Sequence, residues 1–471
     1  MTDRTITLSR ALVALAAVIA VSVPVAFLAS RSPYLALAGV LGIILYALFL
    51  RWPMFGVLAV IFLLPFERIG AIDVAGVTIR PSQVVAVALI AAWLTRMAWR
   101  GRLSWRPQPL LIPLCAYLVV LGVGLTHAEN PTRGVFVLAF TAFTLGVSIL
   151  VPQIVRSEVQ ANRVVNVLLT TTAIVSAFGL FQFLGDYAGL PTSITGLRDL
   201  YTKDILGFPR VQSTALEPLY FANFLLLPLS LLTASLFSRV QRKGFFGLPL
   251  LLLAGLVLVL TVARGGYMAF AASVVVIIVF SLRQFLHPGR ILAFGASILI
   301  VGVVAMQLLG GGTDAFSVQK FTGHITNLFT GASYEERIAT FDLANQAFRE
   351  QPLVGIGPGQ FGPYASINPS YEPKDGWKIV NNLTLEVLAE AGLLGLLALV
   401  LAFSILIVRS VRAIRRASSP NLRALLVGGL AAVIGILVQY QTFSILYIMH
   451  VWVAVGLLVA FQNLVLAPPR E

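Results

Sequence analysis

Three arginines stand out because each interrupts a sequence that otherwise avoids charge. Arg264 lies in the tight connection Ala263-Arg264-Gly265-Gly266 between two apolar runs, Arg337 sits beside Glu335 and Glu336, and Arg210 precedes Glu217-Pro218. Each has an ordinary explanation when taken singly. A turn needs glycines, a mixed charge run is usually a solvated helix face, and a Glu-Pro pair starts a helix because an acid complements the N-terminal dipole and Pro suits the first turn. Together they supply the side chain that grips phosphate oxygens bidentately and keeps its charge when partly desolvated. The chemistry such a set suits is the holding of a lipid-linked diphosphate.

Other groups carry less. His450 falls in the last apolar run near Tyr447, Tyr440 and Gln439, where a neutral imidazole bonded within a helix bundle is the ordinary reading and a functional one the rival. His127, His287 and His324 read as loop residues, and no cluster has metal-ligand spacing, so no metal and no cofactor is expected. Cys115 is the single cysteine, which rules out an intrachain disulfide. Trp377, Tyr364 and Tyr371 offer flat rings for sugar faces, although Trp and Tyr also serve as anchors at a membrane interface.

The elements that must position these residues are apolar helices. Of the 471 residues 58% are hydrophobic and 11% are charged, and the mean hydropathy is +0.92. A soluble domain carries roughly a quarter charged residues, so this chain needs lipid as the solvent for its outward faces. The reading is an all-α integral membrane protein forming a single polytopic domain over 1–471. About fourteen spans are expected, near 8–30, 33–50, 53–66, 82–99, 109–126, 133–155, 162–185, 216–237, 245–263, 266–285, 290–308, 381–409, 421–440 and 443–466. The first is read as a retained helix rather than a cleaved leader. The net charge of +14 does not point to nucleic acid, because the basic residues sit in short loops between apolar runs.

Charge also sets the sidedness. Arg51, Arg96, Arg156, Arg163, Arg290, Arg409, Arg412, Arg415, Arg416 and Arg423 fall in alternate loops, with few acids to offset them. The positive-inside rule then places those loops and both termini in the cytoplasm. Two long segments, 187–215 and 309–380, fall on the outer side, where Arg210, Arg264 and Arg337 also lie. The larger one contains an amphipathic helix over 334–349, with Ile338, Phe341, Ala344 or Asn345, and Phe348 on its apolar face. Gly310, Gly311 and Gly312 before it, and Gly355, Gly357, Gly359 and Gly362 after it, are expected to be hinges or points of close approach. A nucleotide-loop reading of the second cluster is weak, since no strand precedes it.

The segment from Asn381 to Gly395 resembles the signature of the O-antigen ligase / O-antigen polymerase superfamily: a His, then Asn, Ser or Gln, nine residues, Gly, two residues and Gly. Asn382, Gly392 and Gly395 fit it. Upstream, Arg337, Phe341, Ala347, Pro352, Leu353, Gly355, Gly357, Gly359 and Phe361 match the family's run before the signature. The Thr261–Gly266 turn resembles its outer Ser-Arg-Gly turn, and the stretch around Arg210 and Glu217-Pro218 resembles its Arg-to-Pro stretch.

The resemblance covers roughly 205–410. It implies a glycosyltransferase-type enzyme of bacterial cell-envelope polysaccharide biosynthesis, in the plasma (inner) membrane. The donor would be a glycan on undecaprenyl diphosphate, held by Arg264, Arg337 and Arg210. The acceptor would be a glycan, lipid or protein, approaching Asn381 and Asn382, with Glu217 as a further catalytic group. Other partners would be membrane lipids, with no nucleic acid.

One position departs from the family: its His, thought to act as general base, falls on Asn381, and a carboxamide takes no proton at neutral pH. Three readings follow. Glu217, Asp375, His324 or His450 is the base; or Asn381 only positions the hydroxyl; or the chain binds without catalysing. A transporter or flippase is the alternative of another class, and would show inverted repeats with broken helices at mid-membrane.

Overall fold

The computed structural model describes residues 33–74, 77–100, 105–238, 246–282, 286–310, 332–373 and 376–467. The first expected span, over 8–30, lies outside them, as do Gly311, Gly312, His324 and Asp375.

The chain divides into two compact units, Met1–Trp105 and Arg106–Glu471. In the first, α1 (Pro33–Arg51), α2 (Pro53–Leu63) and α3 (Pro81–Arg100) pack on one another. Between α2 and α3 lies a small antiparallel hairpin, β1 (Ile72–Val74) and β2 (Val77–Ile79), with Asp73 opposite Thr78. This pair of short strands was not expected from the sequence, because three alternating residues on each side carry no signal against long apolar runs.

The second unit contains α4 (Leu111–Gly124), α5 (Pro131–Ile154), α6 (Glu158–Tyr187), α7 (Pro218–Leu236), α8 (Leu248–Leu260), α9 (Arg264–Phe280), α10 (Pro288–Gly310), α11 (Ala332–Glu350), α12 (Leu383–Arg416), α13 (Pro420–Gln439) and α14 (Met449–Leu466). Among the described residues, eight helices are long and apolar enough to cross a membrane, and five shorter apolar helices accompany them. The protein is a polytopic helical membrane protein.

The helix starts are written in the sequence. Proline opens α5, α7, α10 and α13, where its missing N–H costs nothing. Asn130, Ser157, Asn382 and Ser419 each accept a backbone N–H of the first turn.

At the centre of the second unit, α7 and α9 pack on α13, and α14 packs on α5. Small residues allow the close approach. A Cβ on Gly428 would lie 2.9 Å from the Leu231 backbone, and one on Gly435 would lie 2.7 Å from the Ala269 carbonyl. The Ser273 hydroxyl donates across the same contact to Ala431 O at 2.9 Å, the mix of small residues and polar links that joins helices in lipid.

The amphipathic helix of the large loop is α11, which packs on α12. Its buried face runs through Thr340, Ala344 and Ala347, while Ile338 is 40% exposed. Of the face expected, Ala344 is buried and Phe341 packs partly buried against the same cluster, so the contact is shifted toward Thr340 and Ala347 and away from Ile338. Small residues mark the contact because α11 lies close against Phe361, Val380 and Ala389.

Between α11 and α12 the chain forms a clasp. Helix α12 is broken at Gly392 (φ 62°, ψ −166°), and the segment 352–361 enters the break. Ile356 N and Gly357 N donate to the carbonyls of Ala389 and Glu390 at 2.9 and 3.0 Å, and Leu393 N and Leu394 N donate to Pro352 O and Leu353 O at 2.9 and 3.1 Å. Backbone groups released by the break are thus paired again within protein, as a low-dielectric setting demands. Gly355 and Gly392 have positive φ, and a Cβ on either would overlap the backbone of the other strand of the clasp.

Glu390 fastens the clasp by accepting Gly359 N at 2.9 Å and Phe361 N at 3.0 Å. On the far side, Arg133 Nε donates to Gly359 O at 2.7 Å, and Asn130 N donates to Gln360 Oε1 at 2.8 Å.

Candidate functional site

Arg264 is the first residue of α9, not a residue of the preceding turn. The turn itself is strained: Val262 has φ +51°, a conformation that β-branched residues rarely adopt and that costs of order 1–3 kcal/mol. It is held from outside. Arg210 donates from Nε to Thr261 O and from Nη2 to Val262 O, both at 3.3 Å, while Val211 N donates to Leu260 O at 3.0 Å. Gly266 fits against Ala222 of α7, and Gly265 fits against Thr442 beyond α13.

Arg264 acts electrostatically on both other candidate arginines. Burial lowers the Arg210 guanidinium from its usual pKa, and the positive charge of Arg264 lowers it further, against Tyr201, Tyr267 and Glu217. Arg337, half-buried on α11, is lowered by burial and then by Arg264. Arginines from three separate segments therefore share one field. Arg198 and Arg210 also stand against the Tyr201 ring, at 5.9 and 5.7 Å from its centroid. Burial and the charge of Glu217 raise the Tyr201 hydroxyl, and Arg210 and Arg198 oppose that rise. Glu217 occupies the N-cap position of α7 without capping through its side chain.

A cleft of about 950 Å³ opens beside this cluster. Its wall includes Arg337, Tyr371, Glu372, Trp377, Lys378 and Asn381, and does not include Arg210, Glu217 or Arg264. Trp377 is held in the wall from two sides. A Cβ on Gly362 would lie 2.7 Å from Trp377 Cβ, and the Arg133 guanidinium stands 5.1 Å from the ring centroid. Tyr364 instead donates to Glu350 Oε1 at 2.8 Å, and burial with that bond pushes its hydroxyl up to about 12.

Asn381 has φ +58°, a region in which Asn and His are both enriched, so the carboxamide stands where the resembling family's His would be conformationally at home. Its N–H donates to Ser444 Oγ at 3.2 Å. Asn382 caps α12: Oδ1 accepts Leu385 N at 3.1 Å, and Nδ2 donates to Gln441 O at 3.4 Å.

His450 is the second residue of α14, because that helix begins at Met449 and not near 443. It is buried and bonds to Asn223 Oδ1 at 2.7 Å, and Asn223 Nδ2 donates to Gln439 Oε1 at 2.8 Å. The preceding segment is drawn out of helix by Leu383 N, which donates to Tyr440 O at 2.8 Å, and by Ser444. Among the described residues no group of His, Cys, Asp and Glu is arranged to hold a metal ion.

Glu386, Ser444, Arg133, Arg198, Glu372 and Lys378 were not singled out in the sequence. Glu386 lies one turn into the signature segment, and that place was its only signal.

The site thus belongs to a polytopic helical membrane protein with an arginine cluster beside a polar, aromatic-lined cleft. Residues 249–400 match the family model described as O-Antigen ligase, the family whose signature the sequence resembles. The match contains Arg264, Arg337, Asn381, Asn382 and the clasp, and it stops short of Arg210 and Glu217. It indicates ligase- or polymerase-type function in glycan biosynthesis. No curated protein sequence matches the chain.

Proposed function

We propose that the protein transfers a glycan from undecaprenyl diphosphate to an acceptor hydroxyl at the outer face of a bacterial plasma membrane. Both termini then lie in the cytoplasm, and 187–215 and 309–380 form the outer loops. The observation that carries this reading is the cleft wall that sets Arg337, Trp377, Lys378 and Asn381 together, with the positive charge of Arg264 acting on Arg337 and on Arg210 beside it. Like charges gathered from three segments repel one another, and a bound diphosphate relieves that repulsion.

The reaction is a displacement at the anomeric carbon. The acceptor oxygen forms the new glycosidic bond as the bond from that carbon to the phosphate oxygen breaks. The leaving undecaprenyl diphosphate gains a negative charge, which the arginines stabilise. The Asn381 amide oxygen orients the hydroxyl, and Asn382 holds the helix start beneath it. Because Asn381 takes no proton, a carboxylate does: Glu372 shares the cleft wall with Asn381, and Glu217 stands near Arg210.

The test is glycan production in a deletion strain complemented at matched membrane levels. With R264A or R337A, mature glycan is expected to be lost and lipid-linked precursor to accumulate, while E372Q and E217Q separate the two carboxylates. Normal glycan with both arginine variants would reject the reading.

A further inference from the structure

Glu386 and Glu390 lie one turn apart on the same helix, both partly buried, and they hold different things. Glu390 fastens the clasp. Glu386 faces the residues that lead into α12. Its Oε2 accepts the N–H of Val380 at 3.0 Å and the hydroxyl of Ser444. Ser444 Oγ in turn accepts the N–H of Asn381 at 3.2 Å. The carboxylate therefore grips the chain directly at Val380 and, through one hydroxyl, at Asn381.

Asn381 is one of three non-glycine residues with positive φ among those described. Asn enters that region more readily than most residues, but its neighbours must still fix it there. Here three bonds do so: Val380 N to Glu386, Asn381 N to Ser444, and Leu383 N to Tyr440 O at 2.8 Å. The result is that Asn381 lines the cleft. Glu386 and Ser444 do not. They line a separate cavity of about 30 Å³ with Glu390, Tyr117 and Tyr447, a space on the scale of a single water.

We propose that Glu386, through Ser444 and the Val380 amide, is a positioning residue that fixes the left-handed backbone at Asn381 and so aims its carboxamide at the acceptor. The proposal rests on the reading of the cleft as the transfer site. What it requires of residue 386 is an acceptor oxygen, since both bonds to it are accepted ones.

The experiment measures the initial rate of glycan transfer in membranes of the deletion strain, using that strain's own lipid-linked glycan. Each variant is compared at matched protein level with its thermal midpoint recorded. S444A and E386A are expected to lose about tenfold in rate, while E386Q stays within about threefold of wild type because its carboxamide oxygen still accepts both bonds. S444A added to N381A is expected to cause no further loss, since Ser444 acts through Asn381.

Wild-type rates in S444A and E386A, or losses that multiply in the double variant, would overturn the proposal while leaving the cleft reading intact. A wild-type rate in N381A would instead sink the acceptor-side reading and this proposal with it. If E386A does not accumulate, S444A decides: a rate loss at unchanged thermal midpoint, restored by S444T, supports positioning, and a rate loss only in step with a lowered midpoint refutes it.

Discussion

At the scale of single residues, the arginines were legible because charge is rare in this chain, but their convergence was not. Arg210, Arg264 and Arg337 are far apart in sequence, and only the fold brings the charge of Arg264 to bear on the other two. The cluster should respond to an anion. Inorganic pyrophosphate is expected to raise the thermal midpoint of the purified wild type, by an amount approaching ~2.7 kcal/mol of stability at a hundred times its dissociation constant. R264A should show little rise, and an equal rise in R264A would remove the arginine from the anion site. Asn381 allows a second test, since His tolerates its positive φ. N381H is expected to transfer glycan at a rate that falls as pH drops through about 6.5, where the imidazole gains its proton and stops acting as a base. Wild type should lack that step, because a carboxamide does not titrate there. A flat N381H profile would show that residue 381 takes no proton in the reaction. Glu386, Ser444 and Arg133 escaped the sequence reading for a plain reason: their roles depend on which backbone group each meets, and spacing along the chain does not give that.

At the scale of elements, helix positions followed from hydropathy, and most boundaries lie within a few residues of those expected. The failures have local causes. The break at Gly392 is invisible in hydropathy because apolar residues continue on both sides of it. The late start of α14 reflects bonds that hold 440–444 against the beginning of α12. The contact of α11 includes the expected Phe341 and Ala344 but is centred nearer Ala347, an alanine that a pattern weighted to large apolar side chains passes over. The clasp explains Gly355 before the signature and Gly392 within it, since each strand leaves no room for a Cβ on the other. G355A and G392A are each expected to destabilise the protein by at least about 1–3 kcal/mol from the positive φ alone, with the overlap adding to this. Both should show a lowered thermal midpoint and poor accumulation in membranes. Gly122, which has nothing within 4 Å of an added Cβ, is the control, and G122A should behave as wild type. Wild-type stability in G355A would mean that the clasp is not formed as described.

At the scale of the second unit as a whole, the helices have two chemically different ends. Glu217, Arg264 and Gln439 mark one end of α7, α9 and α13. At the other end, Arg423 Nη2 donates to Phe280 O at 3.2 Å and Arg290 Nη1 donates to Phe237 O at 3.3 Å, so cations complement helix C-termini there. The last turn of α12 adds Arg415 and Arg416 to the same end. Cations retained on one side and a cleft on the other are what the positive-inside rule would produce if the cleft faces outward. This can be settled in intact cells with a membrane-impermeant maleimide. Cys115, the single cysteine, is exposed and is first replaced by Ser. Ile367, fully exposed at the rim of the cleft, and Ser418, exposed between α12 and α13, then each receive a cysteine. I367C is expected to label in intact spheroplasts, and S418C only after the membrane is permeabilised. The reverse pattern would put the cleft in the cytoplasm, out of reach of an outer-leaflet lipid diphosphate, and the transfer reading would fail on sidedness whatever the arginines bind.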